Sequence, residues 1–321
     1  MHDIVIGIDL GATNIKAGVV GADGKVLFRT RLTTDADKGP ENVADRMARA
    51  ARQCVENVEG GKKGVAGIGI GSPGPLDLES GVVVFAPNMD GWDNVPLRAM
   101  IEERTGLTCT IENDGNAAAL AEQWVGAGRG ASSLVIFTLG TGIGGGIVLD
   151  GRVLHGVGGV AAEMGHMSIN PDGPVCGCGN KGCIEAYASA PAMVRRMREA
   201  IAGGRSTSLA ARAKRLTSKD IYEAALAGDE AARENMEMTG FYLGVTVTNI
   251  MHLLNPEVIV FSGGVTAAGD MLMAPILRTV EERAMESSRR GARVCFAELG
   301  EDAGVIGAAR SFTVMREVKS L

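Results

Sequence analysis

Four side chains with metal-binding chemistry lie close together in this sequence: His166, Cys176, Cys178 and Cys183. One imidazole and three thiols, spaced as His and then Cys-x-Cys-x4-Cys, form the ligand set of a closed, tetrahedral structural zinc site. Segment 170–183 holds two prolines, four glycines and few apolar residues, so it cannot order itself by burying a core. The alternative of three free core cysteines fits poorly with the glycines between them. We therefore predict bound Zn²⁺.

A second candidate site is the turn Asp9-Leu10-Gly11-Ala12-Thr13-Asn14. Its small residues let backbone N–H groups reach phosphate oxygens, and Thr13 and Lys16 can add donors. Asp9, at the end of a predicted strand, suits a hydrated Mg²⁺ ion. Alone, the pattern fits a solvated β-turn equally well. The nucleotide contacts predicted here are Asp9, Gly11, Thr13, Asn14 and Lys16.

Glycines also cluster in Gly140-Thr141-Gly142-Ile143-Gly144-Gly145-Gly146, which can bend around an oxyanion without Cβ obstruction. The segment lacks the Gly-Lys-Ser/Thr of a Walker motif, and a flexible loop is the alternative. A third glycine turn stands at Gly263-Gly264. Together these turns indicate nucleotide binding more strongly than either turn does by itself. The predicted contacts here are Thr141, Gly142, Gly263 and Gly264.

The elements that position these turns are predicted from hydrophobic periodicity and turn residues. Strands are expected at 4–9, 15–20, 25–32, 65–70, 109–112, 134–139, 144–149, 152–154 and 258–261. Helices are expected at 41–58, 97–105, 117–124, 218–227, 231–254, 271–287 and 304–315. The tetrapeptide Asn113-Asp114-Gly115-Asn116 is expected to cap the helix that follows it. The basic run 205–219 fits a solvated helix face better than a nucleic-acid site.

The chain contains an internal repeat. "IGIDLGATNIKAGVVGADGKVL" and "VIFTLGTGIGGGIVLDGRVL" both read as strand, glycine-hydroxyl turn, strand, Asp-Gly hairpin and strand. Chance similarity of two glycine-rich hairpins is the alternative. The repeat predicts an α/β fold of two similar domains around a cleft, 1–115 and 116–303, with helix 304–321 completing the first.

Composition limits the function. At 321 residues the chain is long enough for two domains, and 45% apolar with 22% charged residues is typical of a globular enzyme. A net charge of −6 provides no electrostatic attraction for nucleic acid or for an anionic membrane. The first residues show no basic region followed by an apolar stretch, so we expect a cytoplasmic protein. Cys54, Cys109 and Cys295 are interpreted as buried apolar residues, and His2 and His155 as structural.

Seven motifs in order resemble those of the ROK family of sugar kinases and repressors, and within it the bacterial glucokinases. They are "DLGATNIKAG", "GIGSPGPLD", "APNMDGW", "ENDGNAAALAE", "LGTGIGGGIV", "AAEMGH" and "CGCGNKGCIEA". The resemblance spans nearly the whole chain and implies the actin-like (ribonuclease H-like) ATPase fold. Gly115 departs from the family, where a small aliphatic residue is more usual.

The resemblance implies that Asp114 is the base that takes the proton of the sugar hydroxyl during transfer of the γ-phosphoryl group from ATP. It also implies a set of sugar-binding residues: Asn88, Asn113, Asp114, Glu163, His166 and Glu185. With one ring nitrogen on zinc, His166 could donate from the other to a sugar hydroxyl. Helix capping and ordinary surface carboxylates are the alternatives for the asparagine, aspartate and glutamate residues.

The expected reaction is glucose and ATP to glucose 6-phosphate and ADP, and the family implies a homodimer or homotetramer. Three alternatives remain. One is a kinase of fructose, mannose, N-acetylglucosamine or N-acetylmannosamine. Another is a sugar-responsive repressor, which would need a DNA-binding extension before the strand that starts at Ile4. The third is a catalytically idle sugar-binding protein.

Overall fold

The computed structural model describes residues 4–86 and 89–319, with the side chains of 317–319 left out of the description. The chain forms two compact units. The first takes its described residues from Met1–Ser132, Gly146–Ala161 and Glu298–Leu321, and the second consists of Ser133–Gly145 and Ala162–Ala297.

The strands are, in chain order, β1 Ile4–Leu10, β2 Asn14–Val20, β3 Val26–Thr33, β4 Val65–Ser72, β5 Leu76–Asp77, β6 Val82–Phe85, β7 Asp93–Val95, β8 Cys109–Asn113, β9 Leu134–Leu139, β10 Ile143–Leu149, β11 Arg152–Val153, β12 Val258–Ser262 and β13 Arg293–Phe296. The α-helices are α1 Gly39–Glu56, α2 Leu97–Thr105, α3 Asp114–Val125, α4 Glu185–Ala188, α5 Ala190–Ala202, α6 Ser218–Leu226, α7 Glu230–Leu254, α8 Asp270–Arg283, α9 Glu286–Arg289 and α10 Ala303–Lys319.

The first unit is built on a five-stranded sheet in the order β3-β2-β1-β4-β8. β1 pairs antiparallel with β2 and parallel with β4, and β4 pairs parallel with β8. The carboxyl ends of β1, β4 and β8 therefore share one edge of the sheet. Three turns leave the sheet at these ends: the first glycine turn (9–14) after β1, the Ser72-Pro73-Gly74-Pro75 turn after β4, and the Asn113-Asp114 junction after β8.

Helix α10 packs on this sheet through glycines. Gly7 of β1 and Gly69 of β4 are neighbours in register, and a Cβ on either would overlap the α10 backbone at Val305 or Ala308. The two positions must stay bare for the helix to reach the sheet. Phe312 of α10 is buried beside them, while α1 and α2 belong to the larger apolar core of the unit.

The second unit contains β9, β12 and β13, which pair in parallel. They belong to a sheet in the order β11-β10-β9-β12-β13. Phe137 of β9 and Phe261 of β12 stack in the core with ring centroids 5.4 Å apart. Gly240 and Gly244 let α7 approach α8 closely, because a Cβ at either would meet Pro275 or Thr279.

The repeat predicted from the sequence is present in the topology. Both five-stranded sheets place the strands in the same order: a hairpin strand, its partner, the central strand and two parallel strands. The prediction of an α/β fold is confirmed. The first unit extends past residue 115, because α3 packs along α10. The domain boundaries, taken as folding units, stay a prediction.

Several elements differ from those predicted. The helix expected at 271–287 is broken, since Ala284 is extended between α8 and α9. The basic run 205–219 contains an exposed 3-10 helix, Ala210–Arg215, before α6 begins. Strands β5, β6, β7 and β13 and helix α5 were not predicted. Among residues 4–86 and 89–319, no helix combines the length and apolar character needed to cross a bilayer.

Candidate active site and candidate metal centre

The Asn113-Asp114 junction lies where β8 passes directly into α3. The predicted helix start at Ala117 is wrong by one turn: α3 begins at Asp114, with Asn113 as its N-cap. Asn113 Oδ1 accepts from the backbone N–H groups of Gly115 at 2.9 Å and Asn116 at 3.3 Å. This satisfies two of the amides that a helix start leaves without partners. Asp114 therefore lies at the positive end of the helix dipole, where a carboxylate is stabilised.

The side chain of Asp114 is exposed, and its Oδ1 accepts from the Gly115 N–H at 2.8 Å. The neighbouring Asn113 donates from Nδ2 to the Gly74 carbonyl at 3.4 Å. The capping alternative for Asn113 is thus what the structure shows. Capping leaves the second N–H of the Asn113 amide for another acceptor, so the predicted sugar contact stays a prediction.

A buried carboxylate stands directly before this junction. Glu112 is 2% exposed, and its Oε1 accepts from Asn113 N–H and from Asn116 Nδ2, both at 3.0 Å. Its Oε2 lies 2.9 Å from His155 Nε2. Glu112 is not among the functional residues predicted from the sequence, and His155 is predicted to be structural. One feature of the sequence could have identified Glu112. It is an ionisable residue near the end of a buried strand, and such a residue needs hydrogen-bond partners to be buried.

The interior side of α3 is closed by β10. A Cβ at Gly146 would lie 2.6 Å from the Gly115 carbonyl oxygen and 3.0 Å from Asn116 Cα. Only a glycine lets this strand pass so close to the first turn of α3. The backbone that follows Asp114 is therefore packed as well as hydrogen-bonded.

The first glycine turn is a tight connection between β1 and β2. Gly11 N–H donates to the Asn14 carbonyl at 3.0 Å, and the Thr34 hydroxyl donates to the Gly11 carbonyl at 2.6 Å. Thr13 is exposed, as a phosphate ligand must be. Asn14 Oδ1 accepts from Arg31 Nε at 3.1 Å.

Asp9 and Lys16 are cross-strand partners beside that turn. Burial raises the pKa of the Asp9 carboxyl, and the positive charge of Lys16 acts in the opposite direction. A Cβ at Gly304, in the first turn of α10, would overlap this carboxylate. Lys16 Nζ lies 3.2 Å from Glu301. A half-buried carboxylate that ionises reluctantly is stabilised as an anion by a nearby cation.

The second and third glycine turns lie side by side in the second unit. Ser262 of β12 pairs in parallel with Thr138 of β9, so the segments after these strands leave the same sheet edge. Gly263 has a φ of 93° and would meet the Leu139 backbone if it carried a Cβ. A cavity of about 190 Å³ lies beside this turn. Its lining includes Met193, Tyr222, Met236, Gly264 and Val265.

Glu185 connects the second glycine turn to the cysteine cluster. Its Oε2 accepts from the Ile143 N–H at 2.9 Å, directly after Gly142, and its Oε1 lies 3.5 Å from Cys176 Sγ. A Cβ at Gly142 would crowd the same carboxylate at 2.6 Å. The position of this predicted sugar ligand therefore depends on both segments.

His166 and the three cysteines converge as predicted. Their candidate ligand atoms all lie within 4.8 Å of one another. Cys178 Sγ and Cys183 Sγ are 3.7 Å apart, and Cys176 Sγ is 3.7 Å from His166 Nδ1. Tetrahedral zinc with metal–sulfur bonds of about 2.3 Å requires ligand separations of about 3.6–3.8 Å. These two separations fit bound Zn²⁺, and all four residues have the donor chemistry for it.

The thiols differ in how readily they ionise. Burial raises the pKa of Cys176 to about 12 and raises the pKa of Cys183 as well. A hydrogen bond from the Asn180 backbone lowers the pKa of Cys178, which is exposed. Buried thiolates next to one another need a cation to neutralise them.

The other nitrogen of His166 points toward Glu163. His166 Nε2 lies 3.9 Å from Glu163 Oε2, too far for a direct hydrogen bond and suitable for a hydroxyl held between them. Two predicted sugar ligands are thus brought together beside the cysteine cluster. The predicted contact Asn88 and the structural assignment of His2 lie outside the described residues.

Comparison with known proteins agrees with these features. The model of the ROK family matches residues 5–313. A glucokinase of Thermotoga maritima is 40% identical over 308 residues, which cover 95% of this chain and 96% of the relative. A ROK hexokinase structure from Thermus thermophilus has a TM-score of 0.82 at 34% identity and covers 98% of this chain and 99% of its own.

The structure of a ROK glucokinase from Streptomyces griseus, in complex with glucose and AMPPNP, has a TM-score of 0.76 at 35% identity. It covers 95% of this chain and 98% of its own. These structures confirm the predicted actin-like ATPase fold, and the family match confirms the resemblance drawn from the motifs. The chain belongs to the ROK family.

Proposed function

We propose that this protein is an ATP-dependent hexose kinase that converts glucose to glucose 6-phosphate. The observation that carries the proposal is the 40% identity to a glucokinase along nearly the whole chain. Asp114, exposed at the start of α3, supports it as a candidate base. Asn113 caps the helix at this point, and buried Glu112 accepts hydrogen bonds from Asn113 and Asn116 on either side of Asp114.

In the proposed reaction, Asp114 orients the primary hydroxyl of the sugar and accepts its proton as the oxygen attacks the γ-phosphorus of ATP. The bond from the γ-phosphorus to the β,γ-bridging oxygen breaks, and ADP leaves. In phosphoryl transfer, much of the rate enhancement comes from holding the attacking oxygen, the phosphorus and the leaving oxygen in line. A base at this point contributes about 100- to 10,000-fold in rate.

We propose that the sugar hydroxyls are bound by Asn88, Asn113, Glu163, His166 and Glu185. The 3.9 Å gap between His166 Nε2 and Glu163 Oε2 supports this, because a donor and an acceptor at that separation can share one hydroxyl. The two oxygens of Glu185 can accept from neighbouring hydroxyls. Convergent donors and acceptors of this kind give a pyranose site its orientation.

For ATP, the proposed ligands of the phosphates are the backbone N–H groups of the glycine turns, with Thr13 and Lys16 in the first turn and Thr141 in the second. The exposure of both threonines supports this role. Asp9 would hold Mg²⁺ through its water shell, and the metal supplies neutralisation of charge on the phosphoryl oxygens. The adenine ring is assigned to the 190 Å³ cavity, which places Tyr222 and two methionines beside Gly264.

Zinc is proposed to be structural. Its ligands would be His166 Nδ1 and the sulfurs of Cys176, Cys178 and Cys183, which all lie within 4.8 Å of one another, with two of their separations at 3.7 Å. Bound there, the metal fixes the ring of His166 and the segment that leads into Glu185. Zinc would thereby hold two sugar ligands without touching the reacting atoms.

The test of the proposed function is an ADP-release assay with glucose, fructose, mannose, N-acetylglucosamine and N-acetylmannosamine. Glucose should give the highest kcat/KM with ATP and Mg²⁺. A tenfold preference for another sugar, about 1.4 kcal/mol in transition-state stabilisation, would favour a different ROK kinase. No turnover with any of the sugars would reject the kinase proposal and favour a sugar-responsive regulator.

Cytoplasmic location and a homodimer or homotetramer are part of the same proposal.

A further inference from the structure

Glu112 is a buried carboxylate whose hydrogen bonds all go to one small region of the first unit. It accepts from the Asn113 N–H, the Asn116 side chain and His155 Nε2. A polar group buried to 2% exposure is costly unless it is hydrogen-bonded, so these donors are what allow Glu112 to be buried here. The proposed sugar and phosphate contacts do not include Glu112 or His155.

The donors that Glu112 holds enclose the candidate base. Asn113 precedes Asp114, and Asn116 follows Gly115 in the first turn of α3. One carboxylate oxygen therefore ties together both sides of the segment 113–116. Rotation of the Asp114 backbone would break at least one of these bonds.

His155 fixes the remaining oxygen from outside the turn. It comes from the segment that follows β11, and its side chain is 32% exposed against 2% for Glu112. A cavity of about 300 Å³, lined by His155, Arg152, Glu112 and Leu120, opens beside the pair. Imidazole is suited to this position, because its planar ring reaches the buried oxygen with one N–H while the rest stays near solvent.

We propose that Glu112 and His155 are positioning residues for phosphoryl transfer, a pair that holds the turn between β8 and α3 so that the Asp114 carboxylate keeps a single orientation. The inference rests on the proposed role of Asp114 as base. Misplacement of a reacting group by about 1 Å can cost about 100-fold in rate, so an indirect partner can have a measurable effect. Neither residue is expected to touch sugar or ATP.

The test compares two substitutions of similar size. His155→Phe fills the volume of the ring but donates nothing, whereas His155→Gln can place an amide N–H near the position of Nε2. His155→Phe should lower kcat about tenfold with KM for ATP unchanged. His155→Gln should stay within about twofold of wild type. Arg152→Gln is the matched control, since Arg152 lines the same cavity while the bonds of Glu112 go to other residues.

Amide hydrogen exchange supplies a readout that does not depend on turnover. In His155→Phe, the amides of Asn113, Gly115 and Asn116 should exchange faster, while those of β1 stay as in wild type. Full kcat in His155→Phe, or equal losses in the Phe and Gln variants, would overturn the inference. If wild type phosphorylates no sugar, the proposed function fails, but the exchange pattern still tests whether Glu112 and His155 hold the turn between β8 and α3. If only Asp114→Asn loses turnover, the function stands and the inference fails.

Discussion

The turn that carries Asp114 and the segment that carries the cysteines are ordered by different means. The turn follows β8, is capped by Asn113, braced by buried Glu112 and closed by Gly146. Segment 170–183 lies outside the helices and strands and is held by isolated bridges, such as Val175 with Lys181, and by short-range backbone hydrogen bonds, such as Cys176 N–H to the Asn180 carbonyl at 2.8 Å. Val175 itself is 66% exposed. One region is held by core packing and hydrogen bonds, and the other has little apolar burial of its own.

This difference separates two kinds of dependence. Around Asp114, many weak interactions share the task, so a change to the carboxylate should leave the backbone in place. Around His166 and the cysteines, a single bound ion would replace an apolar core. Loss of one ligand should therefore affect the whole segment.

Asp114→Asn should remove the base while keeping the turn intact. The amide has the shape of the carboxylate and can still accept from the Gly115 N–H, but it cannot take the sugar proton. We expect kcat to fall about 100- to 10,000-fold with a much smaller change in the dissociation constant for glucose. Steady-state kinetics and calorimetric titration measure the two quantities. Asp37→Asn, at an exposed carboxylate of a 3-10 helix, is the control. Near-normal turnover in Asp114→Asn would show that Asp114 is not the catalytic base.

The sequence predicted the ligand convergence at the cysteine cluster because residue type and spacing suffice to define a metal site. It did not reveal the brace at Glu112, since that depends on His155, which comes from a distant segment. Helix α5 carried a readable start signal, Ser189 followed by Pro191, whereas the two-residue strand β5 has too few residues for a periodic pattern. The position of Asn113 as N-cap could be derived locally, but its distance to any sugar could not.

Cys178→Ser should remove zinc and disorder the segment. Serine is a poor zinc ligand, and losing one bond of four would release His166 and the approach to Glu185 together. We expect about one zinc per chain in wild type and much less in the variant. KM for glucose should rise about tenfold or more while KM for ATP changes little.

Elemental analysis and kinetics on the same preparation give these values. Cys295→Ser is the matched control, because Cys295 lies on β13 outside the cluster. Wild-type protein that is fully active without metal would show that the cysteines only pack.

Gly146→Ala tests whether packing contributes to the turn of Asp114. The new Cβ would lie 2.6 Å from the Gly115 carbonyl oxygen, so either β10 or the start of α3 must shift. Overpacking of this kind typically costs about 1–3 kcal/mol. Thermal unfolding should show a lower midpoint, accompanied by a modest loss of kcat. Gly158→Ala is the control, since a Cβ there meets only the Val160 side chain at 3.7 Å. Equal unfolding midpoints for both variants would mean that β10 can shift to accommodate the new methyl group without loss of stability.

His155 should make a small, pH-dependent contribution to the stability of the fold. The hydrogen bond to Glu112 raises the pKa of His155 above the ordinary imidazole value of about 6.5, burial opposes the rise, and the charge of Glu112 adds to it. The folded state therefore binds this proton more tightly than the unfolded chain does. The stabilisation is fully present below the unfolded pKa of about 6.5 and is lost as the pH rises through the raised folded value.

The measurement is the difference in thermal midpoint between wild type and His155→Gln at matched pH. Glutamine keeps a neutral donor, so the difference isolates the charge. Because His155 is partly exposed, solvent screening limits the contribution to about 1 kcal/mol. The midpoint of wild type should exceed that of the variant most near pH 6, and the gap should narrow as the pH rises. A gap that stays constant, or widens, with rising pH would mean that His155 acts only as a neutral donor, leaving its hydrogen bond as the whole of its contribution to the turn.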